Sequence, residues 1–292
     1  MGSADRDFGE RTMTMDKSIE DAIRQTLEEF PFEGYMLPEK TVKGAYSNIA
    51  KIALSYLTPG STILDFGCGP CDKTAVLQFL GFHCSAYDDL RDDWHNIPGN
   101  KEKIISFAKT CGIDFRESNE GILPFEKNSF DMIMLHDVLE HLHDSPRDLL
   151  NDLLELAKPN GLLFVTVPNA VNIRKRINVL FGKTNLPRFE GYYWYPGHWR
   201  GHIREYVKND LDELSKYLNL EVLELRSCDH MLERVPSSIR PSYLLLTGFL
   251  QGWKDSWLLV AKKPQGWSAR KTMPKNELAR ILQKSTSYHY LK

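Results

Sequence analysis

Two glycines and a carboxylate mark the part of the chain best suited to hold a ligand. Gly67 and Gly69 follow the apolar run Thr62–Phe66, which predicts a buried strand and then a tight turn. Asp88 lies at the end of a second predicted strand. Glycine lets the backbone approach a ligand closely, and a carboxylate at that place can accept hydrogen bonds from both hydroxyls of a ribose. The pattern therefore predicts a site for an adenosine-type ligand.

Position 72 argues against a dinucleotide as that ligand. The dinucleotide fingerprint G-x-G-x-x-G would place a third glycine at this position, where the chain has Asp72. A carboxylate that faces a pyrophosphate would repel it. The sequence therefore favours a different adenosine-containing ligand.

Two further motifs point to other chemistry, and both are disfavoured. The run C-G-P-C at 68–71 has the thioredoxin form, yet thioredoxin-like folds place it early in a much smaller domain. His136, Glu140, His141 and His143 lie close together in the sequence. Their spacing fits neither H-E-x-x-H nor its inverse, so we expect no metal site.

The elements that would position the glycine turn alternate between strands and helices. Apolar or β-rich runs predict strands at 62–66, 83–87, 113–116, 130–135, 162–167, 221–226 and 256–261. Helices are predicted between most of them. Such alternation is typical of an α/β fold with a parallel, doubly wound sheet.

The ends of the chain lie outside this alternation. Residues 1–15 are polar and predict a flexible N-terminus. An amphipathic helix at 16–30 and a second helix at 41–57 predict an N-terminal helical cap over 16–58. We assign 59–263 to the main domain and 264–292 to a C-terminal tail with one short helix.

A long insertion at 168–206 interrupts the main domain after a central strand. It carries the aromatic cluster 192–195 and the histidines His198 and His202. An insertion of this length at this place predicts a lid over an active site. The aromatic cluster could serve as a substrate platform or only pack the lid.

Composition limits the partners of the chain. A formal net charge of -2 over 292 residues provides no broad basic field, so we expect neither nucleic acid nor an anionic membrane as a partner. No apolar run is long enough to span a membrane, and residues 1–17 lack the apolar core of a secretory signal. Five cysteines, an odd number, fit a reduced compartment. The sequence predicts a cytoplasmic protein and leaves the oligomeric state open.

Two stretches resemble a known family. Leu64-Asp65-Phe66-Gly67-Cys68-Gly69-Pro70 resembles the first motif of the class I S-adenosylmethionine-dependent methyltransferases, and residues 121–142 resemble their L-P-F, S-F-D and E-H-L stretch. The resemblance covers about 61–263 and is closest to small-molecule enzymes of the ubiquinone-methylase-like type. It implies a Rossmann-like fold: a mostly parallel sheet of seven strands, the last antiparallel, with helices on both faces.

The resemblance also implies a cofactor, S-adenosylmethionine, with S-adenosylhomocysteine as the product. Asp65, Gly67 and Gly69 would hold the methionine portion, and Asp88 would bind the ribose. No metal is implied.

The remaining cofactor positions come from the same resemblance. Asn119 stands where the family has the aspartate of an Asp-Ala pair, so it would meet the adenine amino group. Leu135 and His136, at the end of the fourth strand, would lie beside the sulfonium. Three neighbouring residues complete the expected cofactor site: Cys68, Asp89 and Glu120.

Methyl transfer to a hydroxyl requires alignment, exclusion of water and a base. Histidine suits the last role because its unperturbed pKa lies near neutrality. Residues 201–206 resemble a G-H-x-R-x-[FY] element of this branch, so we rank His202 first as base, then His136, then His198. A structural hydrogen bond from His202 is the competing interpretation.

These observations lead to one main hypothesis and two alternatives. The main hypothesis is O-methylation of a small molecule, such as a sugar, another polyol or another biosynthetic intermediate. The alternatives are N-methylation of a small amine, which needs alignment more than a base, and a catalytically silent cofactor-binding or scaffold protein.

Overall fold

The computed structural model describes residues 4–36, 44–118, 123–184, 186–230, 232, 235–250 and 252–284. The strands of this part of the chain are β1 (Thr62–Phe66), β2 (His83–Asp88), β3 (Asp114–Glu117), β4 (Phe130–His136), β5 (Ala157–Pro168), β6 (Glu221–Cys228) and β7 (Ser256–Lys262). The α-helices are α1 (Ala4–Glu29), α2 (Ala45–Tyr56), α3 (Asp72–Phe79), α4 (Asn100–Thr110), α5 (Pro146–Leu156), α6 (Ile173–Leu180), α7 (Phe189–Tyr193), α8 (Lys208–Tyr217), α9 (Arg240–Phe249) and α10 (Lys275–Lys284).

The seven strands form one sheet in the order β3-β2-β1-β4-β5-β7-β6. Strands β1 to β5 pair in parallel, while β7 pairs antiparallel with both β5 and β6. The predicted Rossmann-like sheet, with its last strand antiparallel, is confirmed.

Alternating apolar side chains bury both faces of this sheet. In β5, Leu163 and Val165 belong to one core together with Leu150 and Leu154 of α5. The intervening Phe164 belongs to a second core with Ile49 of α2. A strand that is apolar on both faces is what a sheet covered by helices on both sides requires.

The strand order reverses at β1: β2 and β3 lie on one side of it, and β4 and β5 lie on the other. In an open α/β sheet, ligands bind at such a switch point, beyond the carboxyl ends of the strands. The ends of β1, β2 and β4 therefore bring together the turn at 67–69, Asp88 and Asp137.

Two element boundaries differ most from the predicted ones. Helix α1 begins at Ala4, whereas a helix was predicted only from residue 16 and residues 1–15 were assigned to a flexible N-terminus. Extending an existing helix fixes one residue for each hydrogen bond gained, so polar residues can continue it. Strand β5 begins at Ala157 instead of 162, because Asn160 N–H donates to Lys263 O (3.0 Å) and Lys263 N–H donates to Gly161 O (2.9 Å).

The insertion at 168–206 contains α6 and α7 and is closed at its base by a bridge between Asn169 and Tyr206. The Asn169 amide also donates to Gly252 O and Lys254 O, both at 2.8 Å. The base of the insertion is thereby fixed to the segment that precedes β7. Within the described residues, none of the helices has the length and apolar character to cross a bilayer.

Candidate functional site

The turn after β1 has a backbone that suits glycine. Gly67 and Gly69 have φ angles of 73° and 54°, in the left-handed region that L side chains rarely adopt. A Cβ atom on Gly67 would lie 2.5 Å from Cγ2 of Val138, whereas one on Gly69 would meet nothing within 4 Å. Gly67 thus lets the turn contact Val138, and Gly69 leaves open space above it.

Asp88 joins the carboxyl end of β2 to this turn. Its Oδ2 accepts a hydrogen bond from Gly69 N–H (2.8 Å), and its Oδ1 accepts one from Leu90 N–H (2.7 Å). Burial raises the pKa of Asp88, and these two hydrogen bonds act against that shift. The carboxylate therefore fixes the turn and keeps lone pairs for a ligand.

A first cavity, of about 350 Å³, opens beside the turn. Gly67, Asp88 and Asp89 line it, and the stacked rings of Phe66 and Tyr87, 5.4 Å apart, form a flat apolar wall. This volume lies within the range of roughly 300–1,000 Å³ that is usual for small-molecule sites. Glycine backbone, a flat wall and carboxylates suit an adenosine part with ribose hydroxyls.

Asp65 provides a further test of whether the expected cofactor fits. Its Oδ2 accepts a hydrogen bond from Thr74 Oγ1 (2.6 Å), while its buried Oδ1 has no hydrogen-bond partner in the described part of the chain. Burial raises the pKa of Asp65 to about 6. A buried acceptor without a partner is costly, and a cationic donor such as the ammonium of a methionine portion would satisfy it, although Asp65 itself does not line the cavity.

The other predicted cofactor residues have different positions. Cys68 is buried, with its Sγ 3.5 Å from Sγ of Cys71. Leu135 and His136 are buried and line neither this cavity nor the second one described below. Asn119 and Glu120 lie outside the described residues.

Replacing Gly67 with alanine should weaken binding of S-adenosylmethionine by about tenfold or more. The left-handed backbone costs an L residue about 1–2 kcal/mol, and the new Cβ would displace Val138. Calorimetric titration of the cofactor measures the change. Gly191→Ala is the control, because its added Cβ meets nothing within 4 Å. Equal affinities for both variants would contradict the prediction.

The insertion is fastened over the first cavity by Arg200. Its Nη2 donates to both carboxylate oxygens of Asp89 (3.1 and 3.2 Å), and its Nε donates to Oδ1 of Asp92 (2.6 Å). Nδ1 of His141 donates to Arg200 O at 2.7 Å. The insertion therefore contacts the β2 end of the cavity through a charged clamp, as a lid would.

A second cavity, of about 270 Å³, lies between the insertion and the segment around α9. Asp137 lines both cavities. Its Oδ2 lies 3.7 Å from Lys73 Nζ and 3.8 Å from His230 Nε2. Burial would raise the pKa of Asp137, but the electrostatic influence of His230 and Lys73 outweighs it and lowers the pKa.

His202 lines the second cavity and is oriented by a carboxylate. Its Nδ1 donates to Oε1 of Glu205 at 3.0 Å, and Glu205 also pairs with the buried Lys175. Burial would raise the pKa of Glu205, but the hydrogen bonds from His202 and Lys175 lower it. Its Nε2 lies 4.0 Å from Oε1 of Glu140. Because Nδ1 is engaged by Glu205, Nε2 is the ring nitrogen that could accept a proton from an acceptor.

The other two candidate histidines lie elsewhere. His198 lines the first cavity, where its ring lies 4.0 Å from that of His143. His136 is buried, with Nδ1 3.0 Å from Thr166 Oγ1, and burial lowers its pKa well below the usual value. Of the three, the structure brings only His202 to the second cavity.

Glu140 lies beneath His202, with neither carboxyl oxygen hydrogen-bonded to any described residue. Burial raises its pKa to about 9, and the charge of Asp137 adds to this shift. Glu140 is therefore a neutral acid at neutral pH.

Glu140, His141 and His202 also offer ligand atoms within 4.8 Å of one another, so these three residues could hold a metal ion although none was expected from the sequence.

The raised pKa of Glu140 predicts a pH-dependent stability. Between the usual value of 4.5 and about 9, the folded chain keeps a proton that the unfolded chain has released, so stability falls as pH rises through this interval. Glu140→Gln, which mimics the neutral acid, should make the decrease in the free energy of unfolding between pH 5 and pH 9 smaller by about 1 kcal/mol or more. Urea unfolding from pH 5 to pH 9 with a chelator present measures it, and parallel curves for both proteins would contradict it.

Sequence reasoning missed two residues of the second cavity. Asp137 follows β4 directly, with a left-handed φ of 57°, and His230 follows β6 with both ring nitrogens lacking hydrogen-bond partners in the described part of the chain. Strands β4 and β6 run in the same direction, because β7 is antiparallel to both β5 and β6. The carboxyl ends of such strands share one edge of the sheet, so the places of Asp137 and His230 just after them could have indicated a shared site.

Comparison with known proteins is consistent with this geometry. A family model described as a methyltransferase domain matches residues 40–225. Ubiquinone biosynthesis O-methyltransferase of Xanthomonas campestris pv. campestris is 26% identical over 186 residues, which cover 63% of this chain and 69% of that protein. Demethylmenaquinone methyltransferase of Shouchella clausii is 26% identical over 145 residues, which cover 46% and 61%.

Solved structures share the fold at low identity. The methyltransferase in complex with the Trm112 activator of Haloferax volcanii has a TM-score of 0.52 at 16% identity, over 75% of this chain and 91% of that chain. The [4+2]-cyclase SpnF also has a TM-score of 0.52, at 15% identity over 81% and 86%. Since the family model spans well over half of the residues, the chain belongs to the methyltransferase domain family and is a class I S-adenosylmethionine-dependent methyltransferase.

Proposed function

We propose that this enzyme methylates a hydroxyl oxygen of a small molecule bound in the second cavity. The observation that carries the proposal is the pair His202 and Glu205, placed in a cavity that meets the cofactor cavity at Asp137. A base held by a carboxylate is what a hydroxyl acceptor needs and an amine acceptor does not.

The residues of the two cavities have separate tasks in this reaction. S-adenosylmethionine supplies an electrophilic methyl group on a positively charged sulfur. Asp88 and the turn at 67–69 hold the cofactor, and Asp137 places a negative charge at the junction of the cavities. As the bond from oxygen to the methyl carbon forms and the bond from that carbon to sulfur breaks, His202 Nε2 would take the hydroxyl proton and Glu205 would stabilise the resulting imidazolium, with S-adenosylhomocysteine as the leaving group.

The acceptor class follows from the lining of the second cavity. Polar side chains line it, among them His202, Glu205 and Ser256, beside apolar ones such as Ile173, Val235 and Trp253. Such a lining can hydrogen-bond hydroxyl groups and contact the carbon skeleton that carries them, so it suits a sugar or another polyol. The O-methyltransferase name of one relative supports oxygen as the accepting atom.

A panel assay tests the proposal with the purified chain and S-adenosylmethionine. Sugars and other polyols, catechols, and small primary and secondary amines are offered separately, and the mass gain of one methyl group is measured for each acceptor. We expect transfer to oxygen in a hydroxyl-bearing acceptor. Transfer only to amines would favour N-methylation instead.

The same assay separates catalysis from binding alone. Calorimetric titration with S-adenosylmethionine is run on the same preparation before the acceptors are added. Cofactor binding without transfer to any acceptor class would favour a silent or scaffold protein.

We infer that residues 168–206 act as the lid over the first cavity. Arg200→Ala, which removes the clamp to Asp89 and Asp92, should therefore speed cofactor release several-fold, since partly exposed ion pairs contribute modestly.

A further inference from the structure

Two neighbouring segments expose an unusual number of large apolar side chains. Of the twenty-four that are exposed in the described part of the chain, nine lie at 177–194 and six at 239–250. Leu180, Phe181 and Phe249 are 82%, 78% and 80% exposed. Single exposed apolar residues are ordinary, but a concentration of this kind marks an interaction surface.

Residues next to the two segments contact each other beside the second cavity. Ile173 N–H donates to Trp253 O at 3.0 Å, and the Arg176 guanidinium lies 5.9 Å from the Trp253 ring. Arg174 of α6 and Tyr243 of α9 line the cavity. We name the surface formed by α6, α7 and α9, with the loop between α6 and α7, the apolar platform.

Charge within the apolar platform is mainly positive. Residues 170–194 contain five lysines and arginines and one acid, Glu190, and residues 234–254 contain three lysines and arginines and no acid. Of these cations, Lys175 is buried and pairs with Glu205. Over the whole chain the numbers are 37 basic and 39 acidic residues, so the net charge of -2 hides this local excess. Arg174, Arg176, Lys183 and Arg188 are exposed.

The apolar side chains and the excess of cations favour an anionic bilayer over a second copy of the chain as the partner of the apolar platform. A second copy of the chain would bring cations against the same cations if the platform met itself, and like charges across an interface are costly. An anionic bilayer offers both complements: headgroup charge for the cations and an acyl boundary for the apolar side chains. The exposed ring side chains of Tyr192, Tyr193 and Trp194 are of the type enriched at membrane interfaces.

We propose that the apolar platform docks peripherally on an anionic phospholipid bilayer, with the mouth of the second cavity facing the lipid. Docking of this kind needs no membrane-spanning helix, and it does not depend on which acceptor the enzyme methylates. An acceptor held in or near the bilayer surface would then reach the cavity without crossing the aqueous phase.

Vesicle flotation tests the proposal with the full chain. Vesicles of phosphatidylglycerol mixed with phosphatidylcholine should carry the protein, pure phosphatidylcholine should carry much less, and added salt should weaken the binding. Leu180→Ser/Phe181→Ser and, separately, Lys183→Glu/Arg188→Glu should each lower the bound fraction, with a decrease in affinity of about tenfold or more. Ile97→Ser/Ile105→Ser, which changes exposed apolar residues outside the platform, is the control.

Several outcomes would overturn the proposal. One is no difference between anionic and neutral vesicles, and another is an equal loss with the control variant. A dimer in solution that the Leu180→Ser/Phe181→Ser change dissociates would instead assign the platform to a second copy. Calorimetry with S-adenosylmethionine should give the same affinity for all platform variants, which keeps this result separate from the proposed reaction.

Discussion

His202→Ala is expected to lower kcat for a hydroxyl acceptor by about 10²–10⁴-fold, the usual contribution of a general base. The affinity for S-adenosylmethionine should stay within about twofold, because general-base chemistry acts on the acceptor and His202 lines the second cavity and not the first. Single-turnover methyl transfer, with cofactor affinity measured by calorimetry, gives both quantities. The limb of the pH-rate profile that reports the base should also disappear in the variant.

Two further histidine variants make this test selective. His198→Ala should leave methyl transfer largely intact, because His198 lines the first cavity beside His143. His230→Ala removes the other histidine of the second cavity, whose Nε2 lies 3.8 Å from Asp137. If His230→Ala loses turnover and His202→Ala does not, the base is His230, and the bond between His202 and Glu205 is structural.

Glu205→Gln is expected to destabilise the fold by about 3 kcal/mol, because it leaves a buried lysine without its counter-ion. The side chain of Lys175 is only 7% exposed and pairs with Glu205, while its Nζ also donates to Asn169 O at 3.0 Å. Urea unfolding monitored by tryptophan fluorescence measures the loss. The double variant Lys175→Met/Glu205→Gln should recover most of the lost stability, because no unpaired charge is then buried.

An exposed ion pair provides the matched control. Lys208 and Asp212 approach to 2.8 Å in α8, with side chains 54% and 33% exposed. Lys208→Met should cost less than about 0.5 kcal/mol, as is usual for solvent-screened pairs on a helix. A loss for Glu205→Gln as small as this, or no recovery in the double variant, would show that Lys175 does not depend on Glu205.

The fold and the cofactor turn were predictable because their signals are local. A short apolar run, two glycines and a following helix lie within Thr62–Phe79, and each follows from backbone sterics or side-chain burial. Asp88 was predictable from its position at the end of the next strand. The antiparallel direction of β7 was implied by the family resemblance and not by the apolar pattern of Ser256–Lys262 itself.

The second cavity was less predictable because its parts are distant in the sequence. Asp137 and His230 come together only when β4 and β6 lie in one sheet. The clamp between Arg200 and Asp89 likewise joins the insertion to β2. The exposure of α6 and α9 could not be read from their apolar residues, because the same pattern also describes helices buried in a core.

The position of Asp137 between the two cavities has a consequence for how the ligands affect each other. Electrostatic interactions with His230 and Lys73 lower its pKa, so it is a negatively charged carboxylate beside both cavities. A positively charged cofactor neutralises that charge, whereas the neutral product does not. The affinity for an acceptor therefore depends on which form fills the first cavity, and thermodynamic linkage requires the acceptor to change the affinity for the cofactor by the same factor.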